Sequence, residues 1–239
     1  MTCDKILEEL NNLSSEKHKE NVVRVGIPKE NSMGVSTVDI RKLAKSIAKS
    51  NTLAMELWNT NYHEAKLLAV LLFDKKTVSL EDVSILMNDV FSWDLCDHLC
   101  KNLIIKIKYY QSLIFDWCNS GNTYFKRAAF TLIASTVIHE KAVSEDEIDS
   151  YLKLIKENSI DEREHVKKAV SWALREIGKK DFECQEKAAL LAHELKSSAN
   201  KSQSWIGKDA LKEIENLVKV EGRGRLISAD SQMGKEQTK

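Results

Sequence analysis

The residues best suited to chemistry lie in the segment Phe91-Ser-Trp-Asp-Leu-Cys-Asp97. On a helix, Trp93 and Asp97 are four positions apart and share one face. Leu95 and Leu99 occupy another side and can serve the core, which leaves the indole and the carboxylate free to face outward. A carboxylate beside an electron-rich ring can stabilise positive charge in a bound molecule. Spacing alone also allows a core tryptophan with a capping or salt-bridged aspartate.

A second cluster combines cations with an aromatic ring in the segment 166–178, Val-Lys-Lys-Ala-Val-Ser-Trp-Ala-Leu-Arg-Glu-Ile-Gly. Its apolar residues form one helical stripe, which we expect to be buried. Lys168, Trp172 and Arg175 lie together on another face of that helix. Nucleic-acid surfaces use this mixture, because cations contact phosphate and a ring contacts sugar or base.

A smaller patch, Tyr124-Phe-Lys-Arg-Ala128, repeats the mixture of aromatic and basic residues. Lys126 and Arg127 are its cations. The alternative is a structural one, in which an arginine side chain lies over a helix pair and keeps its charge in solvent.

Two cysteines one helical turn apart, Cys96 and Cys100, could suggest a metal site. His98 lies between them but points off their face, and no second Cys/His pair follows at ligand spacing. We therefore expect buried cysteines. The chain also lacks a phosphate-binding loop, a zinc-protease helix motif and a nucleophile elbow, so we predict neither a metal nor another cofactor. An odd total of five cysteines without framework spacing predicts a reducing, intracellular compartment.

Charge is balanced overall, with 36 basic and 36 acidic residues, but it is unevenly distributed. Residues 98–131 and 166–180 are basic, whereas residues 140–164 are acidic. We expect the basic residues to line one concave surface and the acidic segment to lie outside it. Ordinary solvated helix faces would give the same pattern without a binding surface.

The elements that must position these residues are helices. One proline and eight glycines in 239 residues are too few for the turns of a β-sandwich or a doubly wound sheet. The periodicity predicts about a dozen short helices, including 62–73, 92–107, 123–139 and 163–177, the last with Gly178 as its C-cap. Ser144 and Glu147 form a predicted capping box.

Short helices with short connections must pack antiparallel, so the sequence predicts an all-α solenoid of paired helices. An irregular helical bundle is the alternative. One domain should span residues 1–218, and residues 219–239, rich in glycine and serine, should form a disordered tail. The longest apolar run, Leu67–Phe73, is too short to cross a membrane.

Taken in order, the clusters resemble the DNA alkylation repair family, the AlkD-type glycosylases of bacteria. The resemblance runs from about residue 26 to residue 218. It is carried by Gly34-Val35, Leu57-Trp58, Tyr62-His-Glu-Ala65, Trp93-Asp-Leu-Cys-Asp97, Phe125-Lys-Arg-Ala-Ala129 and Val166-Lys-Lys-Ala-Val-Ser-Trp-Ala-Leu-Arg175.

This resemblance implies a HEAT-like solenoid whose concave basic face cradles double-stranded DNA with alkylated bases. It implies that Asp97 is the carboxylate at the reaction centre and that Trp93 and Trp172 flank the deoxyribose of the lesion. DNA phosphates would be held by basic residues, namely Arg127, Lys126, Lys168 and Arg175. The protein would be a monomer without an obligate protein partner, cytoplasmic and nucleoid-associated, or nuclear in a eukaryote.

The implied chemistry suits these residue types. An alkylated purine such as 3-methyladenine or 7-methylguanine is cationic and leaves readily. The enzyme has mainly to stabilise an oxocarbenium-like sugar and to position a water molecule, and a carboxylate can do both. The resemblance also implies cleavage without taking the base into a deep pocket, unlike base-flipping glycosylases.

One departure from the family concerns an N-terminal helix, where active members carry a further aromatic residue. Residues 14–25 of this chain contain no Phe, Tyr or Trp. This predicts a more open cleft, with altered lesion preference or weak catalysis. Two other functions stay open: a non-catalytic HEAT-like module that binds damaged or branched DNA, and a protein–protein scaffold, which would lack a basic concave face.

Overall fold

The computed structural model describes residues 1–24, 26–140 and 142–237, and it is built almost entirely of helices. The predicted all-α fold class is therefore confirmed. The chain divides into two compact units, residues 1–110 and 111–239. Within the described residues, no helix combines the length and the apolar character needed to cross a membrane.

The first unit contains seven α-helices in its described part. They are α1 (Cys3–Asn12), α2 (Glu16–Arg24), α3 (Thr37–Ser46), α4 (Asn51–Trp58), α5 (His63–Leu72), α6 (Leu80–Asn88) and α7 (Trp93–Asn102). Short 3-10 turns lie at Lys29–Asn31 and Ile104–Lys106. Serine hydroxyls begin several helices: the Ser36 side chain accepts from the Asp39 N–H, and Ser79 forms a capping box with Asp82.

Helix α5 is the centre of the first unit, because α3, α4 and α7 all pack against it. Nearly every residue of α5 is buried, including its two charged residues Glu64 and Lys66. Its sequence is apolar on most sides, which is the pattern of a helix surrounded by others. Helices two apart in the chain (α3, α5 and α7) thus lie side by side, as in helical-repeat proteins.

The second unit repeats this arrangement with longer helices. Its elements are α8 (Gln111–Trp117), α9 (Thr123–His139), α10 (Glu145–Asn158), α11 (Glu164–Gly178), α12 (Phe182–Lys196), α13 (Lys201–Ile214), β1 (Leu217–Val218), β2 (Ile227–Ser228) and α14 (Gln232–Gln237). Helix α11 packs against α9 on one side and α13 on the other. The row α9, α11, α13 is the counterpart of α3, α5, α7.

Most predicted boundaries agree with the structure to within a few residues. The bounds of α9 are as predicted, and the Ser144–Glu147 capping box is present. The predicted helix 92–107 is instead two elements, since α7 ends at Asn102 and a 3-10 turn follows. Gly178 is not a C-cap but the last residue of α11, where an added Cβ would lie 3.1 Å from the Ile214 side chain. Close packing of α11 on α13 is therefore the reason for this glycine.

The C-terminal segment differs from its prediction, because residues 219–237 are folded rather than disordered. Strands β1 and β2 pair antiparallel, with Leu217 opposite Ser228. Between the strands, Leu226 is buried and Arg225 donates hydrogen bonds to the backbone oxygens of Val137 and Glu176. These oxygens belong to the last turns of α9 and α11, which carry negative partial charge and attract a cation. Low hydrophobicity predicted disorder, but one buried leucine and one arginine attach the segment to the second unit.

Candidate functional site

Helix α7 presents Trp93 and Asp97 on its accessible side. Leu95, Cys96, Leu99 and Cys100, on its other faces, are fully buried, as predicted. With these residues fixed in the core, Trp93 is left 37% exposed and Asp97 partly buried. The outward placement of the indole agrees with the sequence interpretation, whereas the catalytic role of Asp97 stays a prediction.

A histidine–carboxylate pair beside Trp93 was missed by the sequence analysis. His63 at the start of α5 is 1% exposed, and its Nε2 lies 2.7 Å from Oδ2 of Asp94. Burial opposes ionisation of Asp94, but the hydrogen bond and charge of His63 outweigh it and hold the pKa of the carboxyl below its usual range. His63-Glu64 was one of the segments that carry the family resemblance, yet nothing local marked either residue for a role.

Glu64, the neighbour of His63, holds the loop that leads into α3. Its carboxylate accepts hydrogen bonds from the Ser32 hydroxyl and from the backbone N–H groups of Met33 and Gly34, each at 2.8 Å. Gly34 has a φ of 76°, a left-handed conformation that glycine adopts without strain. These bonds satisfy a buried carboxylate and fix the segment from Val35 to Val38 over α5.

The pair and the loop border a groove of about 460 Å³ in the first unit. Trp93 lines it from α7, and His18, Asn21 and Val22 line it from α2. His63 Nδ1 and Asp94 Oδ1, atoms of two lining residues, are buried without a hydrogen-bond partner among the described residues. The groove therefore combines an aromatic edge with unused hydrogen-bonding capacity.

Trp172, Lys168 and Arg175 lie on α11 outside its buried stripe, as predicted. The Trp172 Nε1–H donates to Glu176 Oε1 at 3.2 Å. Arg175 does not project freely: its Nη1 lies 3.3 Å from Asp209 Oδ2, and its Nε lies 3.3 Å from Glu213 Oε2. Lys168 is the most accessible cation of the three, 56% exposed, with Glu164 as its ion-pair partner at 3.1 Å.

Lys126 and Arg127 on α9 are also engaged by the protein itself. Lys126 Nζ lies 3.0 Å from Asp161 Oδ2, and both side chains are mostly buried. Hydrogen bonds from Arg163 and then Lys126 hold the pKa of Asp161 far below its usual range, although burial opposes them. Arg127 is only 6% exposed, and its Nη1 donates to the backbone oxygen of His165 at 2.7 Å. This is the structural position named as the alternative for that patch.

The expected separation of acidic from basic segments is wrong in the second unit. Asp161 and Glu164 of the acidic segment 140–164 pair with Lys126, Lys167 and Lys168 of the basic ones. Segments of opposite charge are brought together by the packing of α9, α10 and α11, and they neutralise one another locally. Charge along the sequence therefore overstated the free positive charge of this unit.

The candidate residues divide between the units: Trp93 and Asp97 belong to the first, and Trp172 to the second. Each lies on a helix of the alternate rows, α7 in one unit and α11 in the other. That the three side chains meet around one deoxyribose stays a prediction.

Comparison with known proteins relates this site to DNA repair. Residues 6–214, which include every candidate residue, match the model of the family described as DNA alkylation repair enzyme. A search of curated proteins finds no significant match. The described hairpin and helix that follow, from β1 to α14, lie beyond the matched range.

Two solved structures share the fold. One is described as "A new family of proteins related to the HEAT-like repeat DNA glycosylases with affinity for branched DNA structures"; it is 22% identical, with a TM-score of 0.76 and coverage of 100% of this chain and 94% of that one. The other is smu.31 from Streptococcus mutans UA159, also 22% identical, with a TM-score of 0.56 and coverage of 88% and 98%. At this identity the likeness extends to the fold alone.

Proposed function

Because the chain belongs to the DNA alkylation repair enzyme family, we propose that it hydrolyses the N-glycosidic bond of alkylated, cationic purines in double-stranded DNA. The observation that carries the proposal is the geometry of α7. Its core residues are fully buried, so the accessible indole of Trp93 and the carboxylate of Asp97, one turn apart, are held on a rigid element.

In this reaction the bond between C1′ and the purine nitrogen breaks, and the purine leaves with the electron pair, which cancels its positive charge. Positive charge then develops on the sugar. Asp97 supplies an opposite charge at that point and accepts a proton from the water that attacks C1′. Trp93 and Trp172 add the negative faces of their rings on either side of the sugar.

DNA phosphates would be bound by Lys168, Arg175, Lys126 and Arg127. Lys168 is accessible, and exposed ion pairs such as Lys168–Glu164 contribute little, so phosphate can replace the carboxylate. Lys126 and Arg175 must exchange buried or partly buried carboxylate partners, and Arg127 a backbone oxygen, before they reach DNA. We propose that the protein acts as a monomer and, as its substrate requires, where DNA is kept in the cell.

The decisive experiment measures release of free base from a duplex that carries one 7-methylguanine. The proposal expects base release above the spontaneous rate, with no release of guanine from the unmodified duplex. A spontaneous rate with every alkylated purine tested, at saturating protein, would exclude it.

A second function, non-catalytic binding of branched DNA, is favoured by two observations. Residues 14–25 carry no aromatic side chain, and Arg175 is held by two carboxylates. One similar solved structure is described as having affinity for branched DNA. This function predicts tighter binding to a four-way junction than to a duplex of the same length, without base release from either.

A further inference from the structure

The groove of the first unit is the feature that the proposed reaction leaves without a use. We propose that this groove binds the ring of a cationic alkylated purine. The inference rests on the proposed function for the source of that ring, which is the damaged base of DNA. It adds a binding place for the base itself to a site otherwise described only by its contacts to the sugar.

The size and walls of the groove suit a flat heteroaromatic ring. Its volume of about 460 Å³ lies within the range of small-molecule sites, roughly 300–1,000 Å³. Val22, Val35, Val38 and Leu67 supply apolar walls, and Trp93 supplies an aromatic surface. A purine ring that enters such a space buries its faces against aliphatic groups and can stack on the indole.

Hydrogen bonding at the end near α5 suits a ring that carries an amino group. When His63 is neutral and donates its Nε2–H to Asp94 Oδ2, its Nδ1 becomes an acceptor. Asp94 Oδ1 is a second acceptor, and both atoms are buried without a partner among the described residues. Unsatisfied buried polar atoms are rare in native proteins, and a ligand donor is one explanation for two of them at one groove. The exocyclic amino group of guanine or adenine is such a donor.

The charge of the groove favours a cation over a phosphate. Two carboxylates, Glu64 and Asp94, are among the lining residues, and no lysine or arginine is among the described ones. A phosphate would meet two negative groups without a compensating cation, whereas a methylated purine carries the complementary charge. The indole of Trp93 also attracts a cationic ring.

Helix α2 leaves the groove open because its lining residues are small or polar. Val22 faces the groove, while the adjacent Val23 is 44% exposed and does not line it. The two positions therefore provide a matched pair of substitutions: Val22→Trp places an indole in the groove, and Val23→Trp places one on the same helix outside it.

Calorimetric titration with free nucleosides tests the groove without DNA. We expect the parent protein to bind 7-methylguanosine about tenfold or more tightly than guanosine. Val22→Trp should weaken 7-methylguanosine binding by about tenfold or more, and Val23→Trp should leave it unchanged. Asp94→Asn should remove the preference for the methylated nucleoside. Thermal denaturation of both tryptophan variants controls for folding.

Three results would overturn the proposal: no binding by the parent protein, equal affinity of the two tryptophan variants, or tighter binding of guanosine monophosphate than of 7-methylguanosine. Base release from the 7-methylguanine duplex, measured on the same proteins, separates the two proposals. Base release unaffected by Val22→Trp, together with equal nucleoside binding, removes the groove and keeps the glycosylase. Nucleoside binding that Val22→Trp abolishes, without base release, keeps the groove and removes the glycosylase.

Discussion

At the scale of single residues, Asp97 is the strongest test of catalysis. Asp97→Asn keeps size and hydrogen bonding but removes the charge opposite the developing sugar cation. Loss of one such preorganised contact costs on the order of 3 kcal/mol, so we expect base release to fall about 100-fold or more at saturating DNA. Single-turnover release of 7-methylguanine measures it. Asp116→Asn, at an exposed position on α8, should release base like the parent.

His98, on the same helix, makes stability depend on pH. Burial, and then the charge of Arg41, lower the pKa of His98 to about 4. The unfolded chain binds a proton near pH 6.5 and the folded one does not, so this contribution to stability is present above pH 6.5 and is lost as the pH falls toward 4. We expect His98→Gln to lose roughly 2 kcal/mol less than the parent between pH 7 and pH 5. Urea unfolding at both pH values measures it, and equal losses would contradict it.

At the scale of elements, Arg225 attaches the C-terminal hairpin to the ends of two helices. It donates to Val137 O on α9 and to the Glu176 carboxylate on α11, the latter at 2.7 Å. Arg225→Ala leaves these mostly buried acceptors with fewer donors, which should cost about 1–3 kcal/mol of stability. The melting temperature should fall by about 2–4 °C per kcal/mol. The matched control is Arg223→Ala, an exposed arginine of the same turn, and an equal effect of both would refute the role of Arg225.

At the scale of the whole molecule, DNA binding should depend on salt through few phosphate contacts. Lys168 is accessible, whereas Lys126 and Arg175 are held by carboxylates. Lys168→Ala should weaken binding to any duplex sequence and reduce the slope of log K against log salt by about 0.9. Lys153→Ala removes an exposed lysine of α10 that also pairs four positions away, with Glu157, and should leave the slope unchanged. Fluorescence anisotropy at several salt concentrations measures both, and equal slopes would place Lys168 outside the DNA interface.

The sequence determined the features that depend on residues close together in the chain. The bounds of α9, the Ser144–Glu147 capping box and the buried stripe of α11 all follow from periodicity and local hydrogen bonds. The outward placement of Trp93 follows in the same way, because the apolar residues of α7 specify which face is buried. Family membership also follows from the order of these local segments.

Only the tertiary structure decided which charged groups meet. His63 and Asp94 are 31 positions apart, and Arg225 and Glu176 are 49 apart. Neither pair has a periodic or local signal, since its contact depends on how whole helices and the hairpin pack. Packing also joined Lys126 to Asp161, which turned a predicted basic surface into a partly neutralised one. Helical periodicity specifies the face on which a side chain lies, whereas its partner, and so its charge state and availability to a ligand, depends on the helix packed opposite.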